Sequence, residues 1–171
     1  MTRHFITEEE VGSSVFIEEI HRLGHKLHRE PTEGPAVTLR DAASGIVTLE
    51  EFRVNGRLHR EGGPARVVRM AAAGTITREE HRFNGRLHRN PTDGPAFIVR
   101  WPKTGVIMVE EFHSNGKLHR DPASGPALIH RNPDTGAVTL QDFYVNGKAI
   151  TGTEQRPITA RRRGRHPQRS P

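Results

Sequence analysis

A chain of 171 residues that is 33% hydrophobic and 5% aromatic, with a mean hydropathy of −0.68, has too little apolar material for a thick globular core. Its formal charge of +6 is local: Arg156 to Pro171 hold six arginines and no acid, and the twenty basic residues before them balance the twenty acids. The lack of cysteine excludes disulfides and thiolate metal sites, and no apolar run is long enough to span a membrane.

Residues 1–13 lack the basic-then-apolar pattern of a secretory signal and read as an N-terminal segment outside any repeat. A cytoplasmic protein is expected. From residue 14 the chain is periodic. Val15, Ile17 and Ile20 flank Glu18-Glu19, so Ser14–Arg29 reads as a first half-unit. Leu-His-Arg then begins at Leu27, Leu58, Leu87 and Leu118, and Gly-Pro-Ala begins at Gly34, Gly63, Gly94 and Gly125. Further glycines follow at Gly45, Gly74, Gly105 and Gly136, and Asn-Gly recurs at Asn55-Gly56, Asn84-Gly85, Asn115-Gly116 and Asn146-Gly147. Four registers of this strictness define a unit of 31 residues, two shorter where Arg60-Glu-Gly-Gly-Pro replaces the longer Arg-x-Pro-x-x-Gly-Pro link.

Each unit predicts two strands. The first covers Ala36–Arg40, Ala65–Arg69, Ala96–Arg100 and Ala127–Arg131; the second covers Ile46–Val54, Thr75–Phe83, Val106–Ser114 and Ala137–Val145, rich in β-branched and aromatic residues. Asn-Gly closes a type I′ turn, whose two central residues need positive φ. Counting across it sets Val54 against Arg57, Arg53 against Leu58, Phe52 against His59 and Glu51 against Arg60. The same count sets Glu80 against Arg89 and Glu111 against Arg120, predicting cross-strand ion pairs; the last copy has Asp142 against Thr151. Apolar positions at Val47, Leu49, Phe52 and Val54 are spaced two, three, two, which a β-bulge at the Glu-Glu step would bring to one face. Arg78 and His81 occupy apolar positions in the second unit, the expected weak point. Proline in the link cannot donate to a ladder, so a corner is expected there.

The expected fold is therefore all-β: tandem antiparallel hairpins forming an elongated single-layer or coiled sheet over residues 14–152, with a disordered Arg-rich tail over 153–171. The strings Phe52–Arg57, Phe112–Lys117 and Phe143–Lys148 resemble variant MORN repeats, and the fuller Asn-Gly-Arg-Leu-His-Arg…Gly-Pro-Ala string is similar to uncharacterised repeat proteins of bacteria, phages and giant viruses. The likeness implies an antiparallel hairpin array with a binding or scaffolding role.

The chemistry on offer is sparse. His28, His59, His88 and His119 recur once per unit; a metal ladder is conceivable, but a residue repeated with the unit serves the unit, and no metal or other cofactor is expected. Arg40, Arg69, Arg100 and Arg131 form a second ladder that could meet phosphates or an acidic partner. The acids Glu18-Glu19, Glu50-Glu51, Glu79-Glu80 and Glu110-Glu111 are adjacent on strands and point to opposite faces, unlike the converging carboxylates of a glycosidase. No nucleophile–base pair or phosphate-cradling glycine loop is present, so no catalytic residue or small-molecule substrate is expected. The tail, with Arg161, Arg162, Arg163 and Arg165, suits salt-dependent contact with nucleic acid. The expectation is a non-enzymatic module that binds a protein partner or itself through edge strands, with nucleic-acid association through the tail as the alternative.

Overall fold

The computed structural model describes residues 2–11 and 14–150. Ten strands lie side by side in chain order: Thr2–Val11, Ser14–Leu23, Val37–Asp41, Val47–Glu51, Arg66–Arg69, Ile76–Glu80, Phe97–Arg100, Ile107–Glu111, Leu128–Arg131 and Val138–Asp142. Every neighbouring pair is antiparallel, and the sheet is open, with the first and last of these strands at its two margins. Among the described residues no helix is long and apolar enough to cross a membrane.

The long second strand expected in each unit is two strands. It breaks at Phe52, and the residues beyond form a small arm, Arg53–Val54 paired with Arg57–Leu58. Equivalent arms are Arg82–Phe83 with Arg86–Leu87, His113–Ser114 with Lys117–Leu118, and Tyr144–Val145 with Lys148–Ala149. Asn55, Asn84, Asn115 and Asn146 have φ of 50°, 49°, 51° and 51°, followed by glycines near +83°, the type I′ geometry read from Asn-Gly. Arg53 faces Leu58 and Val54 faces Arg57, as counted.

The bulge lies elsewhere than expected. At the Glu-Glu step the ladder is regular, Thr38 opposite Glu50 and Val37 opposite Glu51. The register shifts one step earlier, where Arg40 faces Val47 and Leu39 faces Leu49, leaving Thr48 as the extra residue; its hydroxyl donates to the Leu39 carbonyl at 3.1 Å. The other three units repeat the shift. The apolar residues consequently do not share one face. Val109 pairs with His130 on one side, whereas Phe112 packs with Ala127 and Ile129 on the other. An odd spacing of three simply places residues on opposite faces, as plain alternation requires.

The alanine of Gly-Pro-Ala is the hinge of this arrangement. Ala36, Ala65, Ala96 and Ala127 are fully buried. Ala65 donates to the Glu80 carbonyl at 2.7 Å and accepts from the Phe52 amide at 2.8 Å, so one residue ties the unit behind it to the unit ahead. Ala96 and Ala127 do the same. The arms are joined in a row of their own: Gly56, Gly85, Gly116 and Gly147 donate to the carbonyls of Leu27, Leu58, Leu87 and Leu118, at 2.7 to 2.8 Å.

Thr2–Val11, for which the sequence carried no repeat signal, pairs along the whole of Ser14–Leu23, from Thr2 opposite Leu23 to Val11 opposite Ser14. The array therefore begins with a full two-strand unit. In it His21, whose amide donates to Ala36 at 2.8 Å, holds the corner position filled elsewhere by Phe52 and Phe112.

Candidate functional site

The repeated histidines are part of the joints. Nδ1 of His28, His59, His88 and His119 accepts the backbone N–H of Asn55, Asn84, Asn115 and Asn146 at 3.1 to 3.2 Å. Each ring thus anchors the turn of the next arm, and the nitrogen that does so is a neutral acceptor. The counted facing holds in the backbone, where His59, His88 and His119 donate to the Phe52, His81 and Phe112 carbonyls at 2.8 to 3.0 Å, while the His59 ring meets Phe83 of the next arm at a 50° tilt with centroids 4.7 Å apart.

The arginine of Leu-His-Arg does not pair with the facing acid. Arg60 lies over the Phe52 ring at 3.7 Å and Arg120 over Phe112 at 3.9 Å, and their Nη1 groups donate to the carbonyls of Pro64 and Pro126. The cation gains the ring's negative face and a carbonyl together, an alternative the strand count could not register. Glycine suits this position: Gly34, Gly94 and Gly125 have φ of 127°, 120° and 120°, and a Cβ on Gly63 or Gly125 would come within 3.1 to 3.2 Å of this guanidinium.

The acids that were to receive these arginines are held by others. Glu51 meets Arg53 at 2.6 Å and Arg66 at 3.4 Å. Glu80, 1% exposed, meets Arg82 at 2.5 Å, Arg78 at 2.6 Å and Arg66 at 3.8 Å, while Glu111 pairs with His113 at 2.7 Å. The first acid of each pair lies on the other face and binds the second ladder: Arg69 with Glu50 at 2.6 Å, Arg100 with Glu79, and Arg131 with Glu110 at 2.5 Å. Three of the four ladder arginines thus carry an intramolecular carboxylate across the joint, whereas Arg40 is exposed and donates to the Gly45 carbonyl. Arg161, Arg162, Arg163 and Arg165 lie outside the described residues.

With these groups engaged, two features of the surface stand out. A row of side chains crosses the sheet on the face of Glu51 and Glu80: Leu39, Leu49, Val68, Arg78, Val99, Val109, His130 and Leu140 are cross-strand neighbours in that order. Its aliphatic members are half-buried, and Leu140 is 41% exposed. Near the N-terminal end it broadens into a depression of about 380 Å³ bordered by Phe16, Leu39, Leu49 and Val68. The sequence carried this signal in the apolar positions of the strands, but the pairing that aligns them is a property of the fold.

The second feature is a cavity of about 430 Å³ in the second unit, lined by Arg60, Gly63, His81, Phe83, His88 and Arg89. It opens where the link is two residues short and histidine replaces the corner phenylalanine. Burial, aided by the Arg89 charge, pulls the His81 imidazole down to about 4, so the ring is neutral beside two arginines.

No known protein family, curated protein or solved structure matches this chain.

Proposed function

We propose that the array is a non-enzymatic interaction module whose binding surface for another protein is the aliphatic row from Leu39 to Leu140. The observation that carries this reading is the row itself: aligned side chains across eight strands, on a sheet whose repeated charged and imidazole groups are largely occupied by their neighbours. An aliphatic row interrupted by Arg78 and His130 offers short apolar stretches beside charge, which suits a protein partner, and a repeat array offers an extended surface without a deep pocket. The likeness of Phe52–Arg57 and its counterparts to variant MORN repeats supports a scaffolding role, and the cysteine-free composition suits the cytoplasm.

Replacing Leu49 and Val99 together by lysine tests the proposal. Both are only half-buried, so the circular dichroism of the sheet is expected to persist while partner capture by the full chain and by residues 1–155 is lost. Undiminished capture by the double variant would remove the row from the interface.

A second reading rests on charge. The six arginines from Arg156 onward have no acid among them, which supports nucleic-acid association through that segment alone, since Arg69, Arg100 and Arg131 are neutralised. It predicts capture that disappears with nuclease or with removal of residues 156–171.

A further inference from the structure

Histidines that repeat with the unit serve the unit, so the ones to examine for chemistry are those that do not, among them His4, on the first strand, and His21, which stands at the corner where Phe52 and Phe112 stand in later units. His4 lies directly opposite His21 in the ladder between the first two strands, and Glu19 lies two residues from His21 on the same face. The two imidazoles are stacked with centroids 4.6 Å apart and planes 11° from parallel. Both Nε2 atoms approach one carboxylate oxygen, Glu19 Oε1, at 3.0 Å from His4 and 3.1 Å from His21. One ligand atom from each of the three residues fits within 4.8 Å of the others.

The geometry points to a mononuclear zinc site formed by His4, Glu19 and His21, with water in the fourth position. Around a tetrahedral zinc with bonds of about 2.0–2.1 Å, adjacent ligand atoms stand about 3.3 Å apart. Two of the three ligand–ligand edges are therefore already close to the required length. Two imidazoles and a carboxylate make a borderline donor set that suits zinc, and the strand backbone holds all three donors on one face.

The protein atoms alone leave a conflict that a metal ion resolves. Arg29 Nη1 also lies 3.0 Å from His21 Nε2. One ring nitrogen can accept from Arg29 or donate to Glu19, but not both. A divalent cation among the two Nε2 atoms and Oε1 would satisfy all three once one of the stacked rings turns about its Cβ–Cγ bond to bring both in-plane lone pairs onto the ion, and Arg29 then keeps the Pro35 carbonyl, which its Nη1 already reaches at 3.3 Å. Arg29 acts as a competitor for His21, so metal uptake displaces it.

The consequence is a staple. Thr2–Val11 is joined to the array through one neighbour strand, and a metal bridging His4 to Glu19 and His21 would fasten it there. His4 and Glu19 side chains are 47% and 38% exposed, so the fourth position opens to solvent.

The test uses the full chain, purified without a histidine tag, stripped with chelator and titrated calorimetrically with zinc chloride. One equivalent is expected, together with a rise in Tm. His4→Ala and Glu19→Gln should each weaken binding about tenfold or more. His21→Phe, which installs the ring carried at this corner by other units, should abolish binding while leaving the sheet folded by circular dichroism. Absence of zinc uptake by the unaltered chain, or uptake that survives both His4→Ala and His21→Phe, would overturn the assignment; the latter would place the metal on other histidines.

Discussion

Two neighbouring units reach the same backbone by different chemistry. In the unit that closes on Phe112, the ring packs with Ala127, Ile129 and Tyr144, and the adjacent Glu111 pairs with His113. In the unit before it the corner ring is His81, and the adjacent Glu80 is the most deeply buried large side chain, surrounded by Arg66, Arg78 and Arg82. Yet His81 and Phe112 donate to Ala96 and Ala127 at 2.7 and 2.8 Å in the same way. The backbone joints define the unit, and the corner needs a flat ring shielded from water. What packs on that ring, and which charges border it, differs from repeat to repeat.

If the Phe112 unit rests on apolar burial, Phe112→Ala should cost about 3–5 kcal/mol. The loss should appear as faster hydrogen exchange at the amides of Gly116 and His119 than at those of Gly85 and His88. Equal acceleration in both arms would mean the units share one core and the contrast is false.

Glu80→Gln strikes the ionic unit, leaving three guanidinium groups around an uncharged amide. A loss of about 3 kcal/mol is expected, since breaking a buried pair from one side strands its partners. Added salt should narrow the difference between this variant and the unaltered chain in urea unfolding, and should leave the Phe112→Ala difference unchanged.

The smallest effect is that of pH. His81 titrates at about 4 in the folded chain against 6.5 when unperturbed. Above 6.5 both states are neutral and the full stability is present. As pH falls from 6.5 towards 4 the unfolded chain binds a proton that the folded chain does not, so stability declines until the ring itself protonates. For a half-buried ring the loss is on the order of 1 kcal/mol after solvent screening. His81→Phe should erase that part of the decline between pH 7 and 4.5; an unchanged pH profile would show that His81 is not its source.

Much of the array was legible because its determinants are local. Asn-Gly needs positive φ at two successive residues, and no distant contact alters that, so the arms and their strand register could be counted directly. Contacts that depend on where the chain turns were not legible. Glu51 and Arg60 face each other by count, but the break at Phe52 lets the guanidinium settle over the ring instead. The bulge was sought at Glu50-Glu51 because apolar residues were assumed to share a face, while Phe112 and Val109 serve opposite ones. The pairing of Thr2–Val11 had no motif to announce it, and without that strand His4 could not be set beside His21.

The joints have a further consequence for how such a chain can change. Each is made of the same donors and acceptors, a glycine amide to a leucine carbonyl and an asparagine amide to a histidine ring. Excising the 31 residues Leu87–Lys117 would bring Arg86 to Leu118, with Asn84-Gly85 still leading into Leu-His-Arg. Duplicating the same stretch would lengthen the molecule with every new boundary already complementary to its neighbours. Size is thus a discrete variable, altered by whole units through recombination, whereas inserting a single residue within a strand would invert the faces of everything that follows it in that strand.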